Sequence, residues 1–305
     1  MVTDQRQNDQ EPKGPGLPAE NVEELLAKTE YRAIRRLGGG RTADVYEVRH
    51  QILGRRFVLK VLRSHLASDH RFADRLRFEA QAAARIHHKN VVEIVDLWIS
   101  ARGNPCVVME LLEGRTIDEE LAVADRLRPT EAVELTKQAL AGLGAAHALG
   151  VVHRDITPEN LFLHEVAGFP RTLKILDFGL ARVLPTASFR APDPLAVPTK
   201  TGAVLGSPRF MSPEAARGER VDHRADLYSL GVVLYVMLTG QGPHDVPAAH
   251  PAPPSWLAGS GLVPLDAIAL RAIADRVDAR YQTAQEFAAA LNILPSVFPP
   301  STASR

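Results

Sequence analysis

The polar run His153-Arg154-Asp155-Ile156-Thr157-Pro158-Glu159-Asn160 is enclosed by two short apolar runs, Val151-Val152 before it and Leu161-Phe162-Leu163 after it. Six polar or ionisable residues between two strand-like segments read as a loop held in place by its flanks. Catalytic groups tend to sit on loops presented by a rigid scaffold. A second pattern follows closely. Leu173-Lys174-Ile175-Leu176 reads as a buried strand and ends on Asp177-Phe178-Gly179. A carboxylate in that position is a natural ligand for a hard cation such as Mg²⁺. In the first loop, Asp155 can accept a proton and Asn160 can offer its amide oxygen to a metal.

The rest of the chain sorts by period. Tyr31–Leu37, Val45–Val48 and Phe57–Val61 alternate or run apolar, as strands do, and two further strand-like runs lie around Val91–Ile99 and Cys106–Leu111. Between them Asp69 is an N-cap for a helix through Phe72, Leu76 and Ala83 to Ile86. Beyond about residue 115 the pattern is mostly helical. Thr130–Leu149 carries one apolar stripe, and Leu227–Leu238 is apolar nearly all round, as a buried helix is. Strands first and helices second predict an α+β fold in two lobes. The small lobe (30–112) is a mostly antiparallel sheet with one main helix, and the larger, mainly helical lobe is 113–294. Residues 1–29 read as a disordered lead ending in a short helix over 21–28, and 295–305 as a flexible tail. Pro and Gly cluster over Gly240–Pro264, a long loop for a packed domain.

Composition narrows the function. Lys+Arg and Asp+Glu both number 36, so no basic excess points to a nucleic acid or a membrane surface. The single cysteine, Cys106, lies in an apolar run, cannot form an internal disulfide and reads as a buried hydrophobe rather than a nucleophile. No signal-peptide pattern and no membrane-length apolar stretch is visible, so the expected location is cytoplasmic.

Two more features carry chemistry. Leu37-Gly38-Gly39-Gly40-Arg41-Thr42-Ala43-Asp44-Val45 lies between strand patterns, where glycines let backbone N–H groups approach phosphate oxygens. By itself a Gly-rich hairpin is more often only a turn, and this one matches neither a Walker loop nor a dinucleotide fingerprint. Lys60 stands in the apolar strand Phe57–Leu62, where its charge is costly unless paired or turned to the surface; Glu79 on the following helix is a candidate partner.

Taken in order, the Gly-rich loop, Val58-Leu59-Lys60, Glu79, His-Arg-Asp-x-x-x-x-Asn, Asp-Phe-Gly and Ser212-Pro213-Glu214 resemble the signature set of protein kinases over about residues 31–294. Asp226-Leu227-Tyr228-Ser229-Leu230-Gly231 is similar to the start of that family's central buried helix, and Arg280 to the arginine that pairs with its Ser-Pro-Glu glutamate. Gly206-Ser207-Pro208 through Gly218, with Arg280–Ala284, resembles bacterial kinases of eukaryotic type.

The resemblance implies transfer of the ATP γ-phosphoryl group to Ser/Thr hydroxyls of proteins. Lys60 would hold the α- and β-phosphates, oriented by Glu79. Asp177 and Asn160 would carry Mg²⁺, with Mn²⁺ as an alternative. Asp155 would orient and deprotonate the incoming hydroxyl. Leu37, Gly38, Gly39 and Gly40 would cover the nucleotide, and Val45 and Val58 would sandwich the adenine above Phe162. Met109 would close the back of the pocket, and Glu110 to Leu112 would offer main-chain hydrogen bonds to the adenine edge. The segment between Asp177 and Glu214 resembles an activation segment. Thr199 and Thr201 are its candidate phosphorylation sites, and Arg154 is placed to pair with a phosphate there. A homodimer would allow transfer between copies.

Three positions depart from the family pattern. Ala43 replaces the third loop glycine, Thr157 stands where a lysine is usual, and Ala83 is small where relatives often have leucine. Thr157 and Ala43 motivate an alternative, a pseudokinase acting as a binding scaffold. A small-molecule phosphotransferase is a third reading, opposed by the Ser-Pro-Glu, Asp226 and Arg280 elements that build a peptide-docking surface.

Overall fold

In the computed structural model, which describes residues 22–39, 43–62, 81–101, 103–178, 208–245 and 250–292, the first part of the chain forms a five-stranded antiparallel sheet. Its strands are β1 (Tyr31–Gly39), β2 (Ala43–His50), β3 (Arg56–Leu62), β4 (Ile94–Ile99) and β5 (Pro105–Glu110), in the order β1-β2-β3-β5-β4. Period-two alternation decides its two faces. Tyr46, Val48, Phe57, Leu59, Val61, Cys106 and Val108 pack on the outer face. A short helix, α1 (Val22–Leu26), covers them with Leu25 and Leu26, so this part of the lead belongs to the packed lobe. Val58, Leu62, Val107 and Met109 make a separate cluster on the opposite face, with Val45 paired to Lys60 and Val58 to Met109 in register.

The strand read over Val91–Ile99 starts later, at Ile94. Val91 instead makes a parallel bridge to Ile175, and the Val92 N–H donates to the Ile175 carbonyl at 3.0 Å. The stretch before β4 is therefore hydrogen-bonded into the large lobe. Residues 81–83 are helical, with Ala83 and Ile86 buried; Asp69, Phe72 and Leu76 lie outside the described residues.

The large lobe holds α2 (Ile117–Ala124), α3 (Pro129–Ala148), α4 (Pro213–Ala216), α5 (Arg224–Thr239), α6 (Pro254–Ala258), α7 (Val263–Ala272) and α8 (Ala284–Asn292). Every residue of α5 from Ala225 to Thr239 is buried, which explains why its sequence is apolar all round. A small antiparallel sheet of β6 (Gly114–Thr116), β7 (Leu161–His164) and β8 (Thr172–Ile175) interrupts the helices. The stretch read as a long loop over 240–264 contains α6 and a 3₁₀ turn, Ser260–Leu262; Ser255 ties it to Asp266 through N–H and hydroxyl donors at 2.9 and 2.6 Å. Among the described residues no helix is long and apolar enough to cross a membrane.

Candidate active site

The hairpin of β7 and β8 carries the two polar loops side by side. The loop over 153–160 precedes β7, and Asp177 follows β8. The first loop is anchored from below by Asp226 on α5. Its fully buried carboxylate accepts the backbone N–H groups of His153 (2.8 Å) and Arg154 (2.7 Å) and lies 2.8 Å from His147 Nε2. Arg154 and Asp177 both take left-handed backbone angles, φ 70° and 59°. A non-glycine residue held there costs about 1–3 kcal/mol and persists only where its surroundings impose it. At Arg154 the bond to Asp226 is part of that constraint.

His153 joins the two loops. Its Nδ1 accepts the Asp155 N–H at 3.2 Å, so Nε2 is the proton-bearing nitrogen and donates to the Leu176 carbonyl at 2.6 Å. Its ring meets Phe178 edge-on at 4.7 Å. The Leu176 N–H returns a bond to the Asn160 carbonyl at 2.9 Å. Asn160 Nδ2 donates to the main-chain carbonyl and the carboxylate of Asp155, at 2.8 and 3.1 Å. Lys60 Nζ reaches across from β3 to Asp177 Oδ2 at 2.5 Å. Lys60, Asp155, Asn160 and Asp177 are thus gathered by three elements.

Burial pushes the Asp155 carboxyl above its ordinary range. His153 and the Asn160 bond draw it back, while the charges of Asp177 and Glu159 raise it further. A carboxylate so placed is a stronger base than one in water.

The other sequence candidates fall as follows. The expected partner of Lys60, Glu79, lies outside the described residues, as do Gly40, Thr199 and Thr201; within them Lys60 bonds Asp177. Leu37, Gly38 and Gly39 end β1 beside Val45. Val58, Met109, Leu112 and Leu176 belong to one apolar cluster, and Phe162 is half-buried on β7. The Ala43 methyl is buried in that same cluster with Leu62 and Val92, so the sheet takes it up. Thr157 is buried and extended, and its carbonyl accepts the Asn160 N–H at 3.1 Å. The small side chain of Ala83 lines a cavity of about 10 Å³ with Val91, Ile94, Met109 and Phe178, space for about one water.

Sequence reasoning did not single out His147 or Lys174. Each is polar in an otherwise apolar setting, but their partners, Asp226 and Glu110, lie far along the chain. Arg280, fully buried, pairs with Glu214 through two bonds of 2.8 and 2.7 Å.

A family model described as the protein kinase domain matches residues 31–250. The chain is 37% identical over 277 residues to the serine/threonine-protein kinase PknB of Mycobacterium leprae, covering 87% of this chain and 43% of that protein. It is 36% identical to the serine/threonine-protein kinase pkn3 of Myxococcus xanthus, covering 75% and 42%. It therefore spans less than half the length of these curated relatives. The crystal structure of the Mycobacterium tuberculosis PknI kinase domain superposes with a TM-score of 0.69 at 27% identity, over 87% of this chain and 96% of that one. With the two-lobed architecture and this sequence match together, the chain belongs to the protein kinase family and is similar to its bacterial serine/threonine members.

Proposed function

We propose that this protein transfers the γ-phosphoryl group of ATP to serine or threonine hydroxyls of protein substrates. The observation that carries the reading is the convergence of Lys60, Asp155, Asn160 and Asp177 on one cleft between the lobes. The acceptor oxygen attacks the γ-phosphorus, the bond from that phosphorus to the bridging oxygen breaks, ADP leaves, and the hydroxyl proton passes to Asp155. A raised Asp155 pKa suits it to that proton. Lys60, seated on Asp177 in this structure, would turn to the α- and β-phosphates when nucleotide enters.

The residues fit a divalent cation. Asn160 Nδ2 is engaged by Asp155, which leaves its Oδ1 as the atom to offer a metal, and the Asp177 carboxylate would be the second ligand. Few protein oxygens with room for phosphate is the arrangement Mg²⁺ takes, and Mn²⁺ shares it. Bound there, the metal would neutralise phosphate charge. Thr199 and Thr201 are the proposed autophosphorylation sites, with Arg154 as the group that receives the phosphate, and transfer between two copies is the proposed route. The cytoplasm, where ATP is abundant, is the proposed location.

The test is incorporation of label from γ-labelled ATP with Mg²⁺ or Mn²⁺ by wild type beside Asp155→Asn and Lys60→Met. Label in the wild type, falling by about 10²-fold or more in Asp155→Asn, supports the reading. No label with either metal points instead to a scaffold. Unchanged activity in a Thr199→Ala/Thr201→Ala double variant would remove the autophosphorylation part alone.

A further inference from the structure

The back of the inter-lobe connection holds an ion pair that the proposed chemistry does not use. Lys174 Nζ on β8 lies 2.6 Å from Glu110 Oε1 at the end of β5, and both side chains are largely buried. The same Glu110 oxygen accepts the Glu93 N–H at 2.8 Å, while the Glu110 N–H donates to the Glu93 carbonyl at 3.0 Å. Lys174 Nζ also comes within 3.5 Å of the Val91 carbonyl. One carboxylate thus ties together three segments: the end of β5, the lead into β4, and β8.

The lead into β4 is itself fastened to the large lobe. The Ile175 N–H donates to the Asn90 carbonyl at 2.9 Å, the Val92 N–H to the Ile175 carbonyl at 3.0 Å, and Asn90 Nδ2 to the Leu173 carbonyl at 2.8 Å. Among the described residues two stretches of main chain therefore join the small lobe to the large one, besides the Lys60–Asp177 bond. Leu111–Glu113 forms the covalent path and Asn90–Glu93 the hydrogen-bonded one, and the Glu110–Lys174 pair cross-links them. Lys174 stands three residues before Asp177 on the same strand run. The pair consequently links the β5 end to the strand that leads into Asp177.

We propose that Lys174 and the Glu110 carboxylate are positioning residues for the nucleotide. They hold the main chain of Glu110 to Leu112 at the height where it meets the adenine edge, an inference that rests on the ATP reading above. Loss of the pair frees the connection, so ordering it falls on the binding step rather than on phosphoryl transfer.

The experiment uses the whole chain with Lys174→Met, Glu110→Gln and the double variant. Glu110→Gln keeps an oxygen for the Glu93 N–H and removes only the charge, so it serves if Lys174→Met fails to fold. Steady-state rates are measured against ATP·Mg²⁺ with casein as acceptor, and mant-ADP binding is followed by fluorescence. The expected result is a rise of about fivefold or more in KM for ATP and in mant-ADP Kd, with kcat within about twofold. The double variant should be no worse than the worse single, because one interaction is lost. A purely structural role would lower the melting temperature and kcat with KM unmoved, and that result overturns the proposal. So does a rise in kcat at constant KM, which would make the pair a restraint on lobe motion. Variants that bind mant-ADP as the wild type does sink this inference alone. A wild type that neither binds mant-ADP nor transfers label removes the ATP reading and this one with it.

Discussion

Replacing Arg280 by methionine would strand a buried carboxylate. The Arg280 side chain is fully buried and that of Glu214 is 4% exposed. The guanidinium also donates to the carbonyls of Ala274 (2.7 Å) and Asp275 (3.0 Å) and lies 4.7 Å from the Tyr228 ring centroid. Removing one partner of such a pair costs about 3–5 kcal/mol, because the other charge stays desolvated. At roughly 2–4 °C per kcal/mol for a domain of this order of size, the melting temperature should fall by about 6–20 °C. Substituting both partners, with Glu214→Leu added, leaves no buried charge but orphans the two carbonyls at about 1 kcal/mol each, so the double variant should lose only about 2 kcal/mol.

The pH dependence separates this account from simple loss of packing. Burial, the largest influence, raises the Glu214 carboxyl, and the Arg280 bonds and charge together with a main-chain hydrogen bond bring it below its ordinary value of 4.5. In the wild type the unfolded chain then binds the proton more readily. This contribution to stability is present above the ordinary value and is lost as pH falls through the native one. In Arg280→Met the main opposition to burial is gone, leaving the weaker main-chain hydrogen bond, and the carboxyl should rise above its ordinary value. The native state now holds the extra proton, and stability falls as pH climbs. The deficit of the variant should therefore widen from about pH 4 to about pH 7 when urea unfolding is followed by circular dichroism. A deficit independent of pH, or a melting temperature within about 2 °C of wild type at neutral pH, would refute the reasoning.

Three further outcomes follow from the site and its frame. Thr157→Lys restores a cation on the loop beside Asp155 and should raise kcat by about tenfold; a folded variant with no gain would show that charge is not lacking there. Glu159→Gln removes one of the charges that raise Asp155, so the acid limb of kcat/KM, where the base is lost as pH falls, should move to lower pH and less so at high salt. An unmoved limb would assign it to another group. Gly114→Ala should cost about 1–3 kcal/mol in thermal unfolding, since φ is 134° and a Cβ would stand 2.0 Å from the Leu163 carbonyl oxygen; wild-type stability would contradict that geometry.

The residue pattern alone determined a good deal. Alternation over Phe57–Val61 reports directly which face of β3 is buried, and β2 was legible as a strand from its apolar content, although Glu47 in it is buried beside Tyr46 and Val48. Helices α3 and α5 were legible because one apolar stripe, or a run that is apolar nearly all round, has a simple meaning at a period of 3.6. The order of motifs singled out Asp155, Asn160 and Asp177 as one set with Lys60, and the fold brings these side chains together. Tertiary structure decided the partners. Lys60 meets Asp177 across 117 positions, Lys174 meets Glu110 across 64, and Asp226 reaches the His153 and Arg154 amides from a helix more than 70 residues later. It also buried the Ala43 methyl beside Leu62 and moved the start of β4 past Val91 by giving that residue to Ile175. The reason is one of range. Local periodicity records which side of an element faces water, whereas an ion pair forms wherever the folded chain brings two charges together, and no short-range pattern carries that distance.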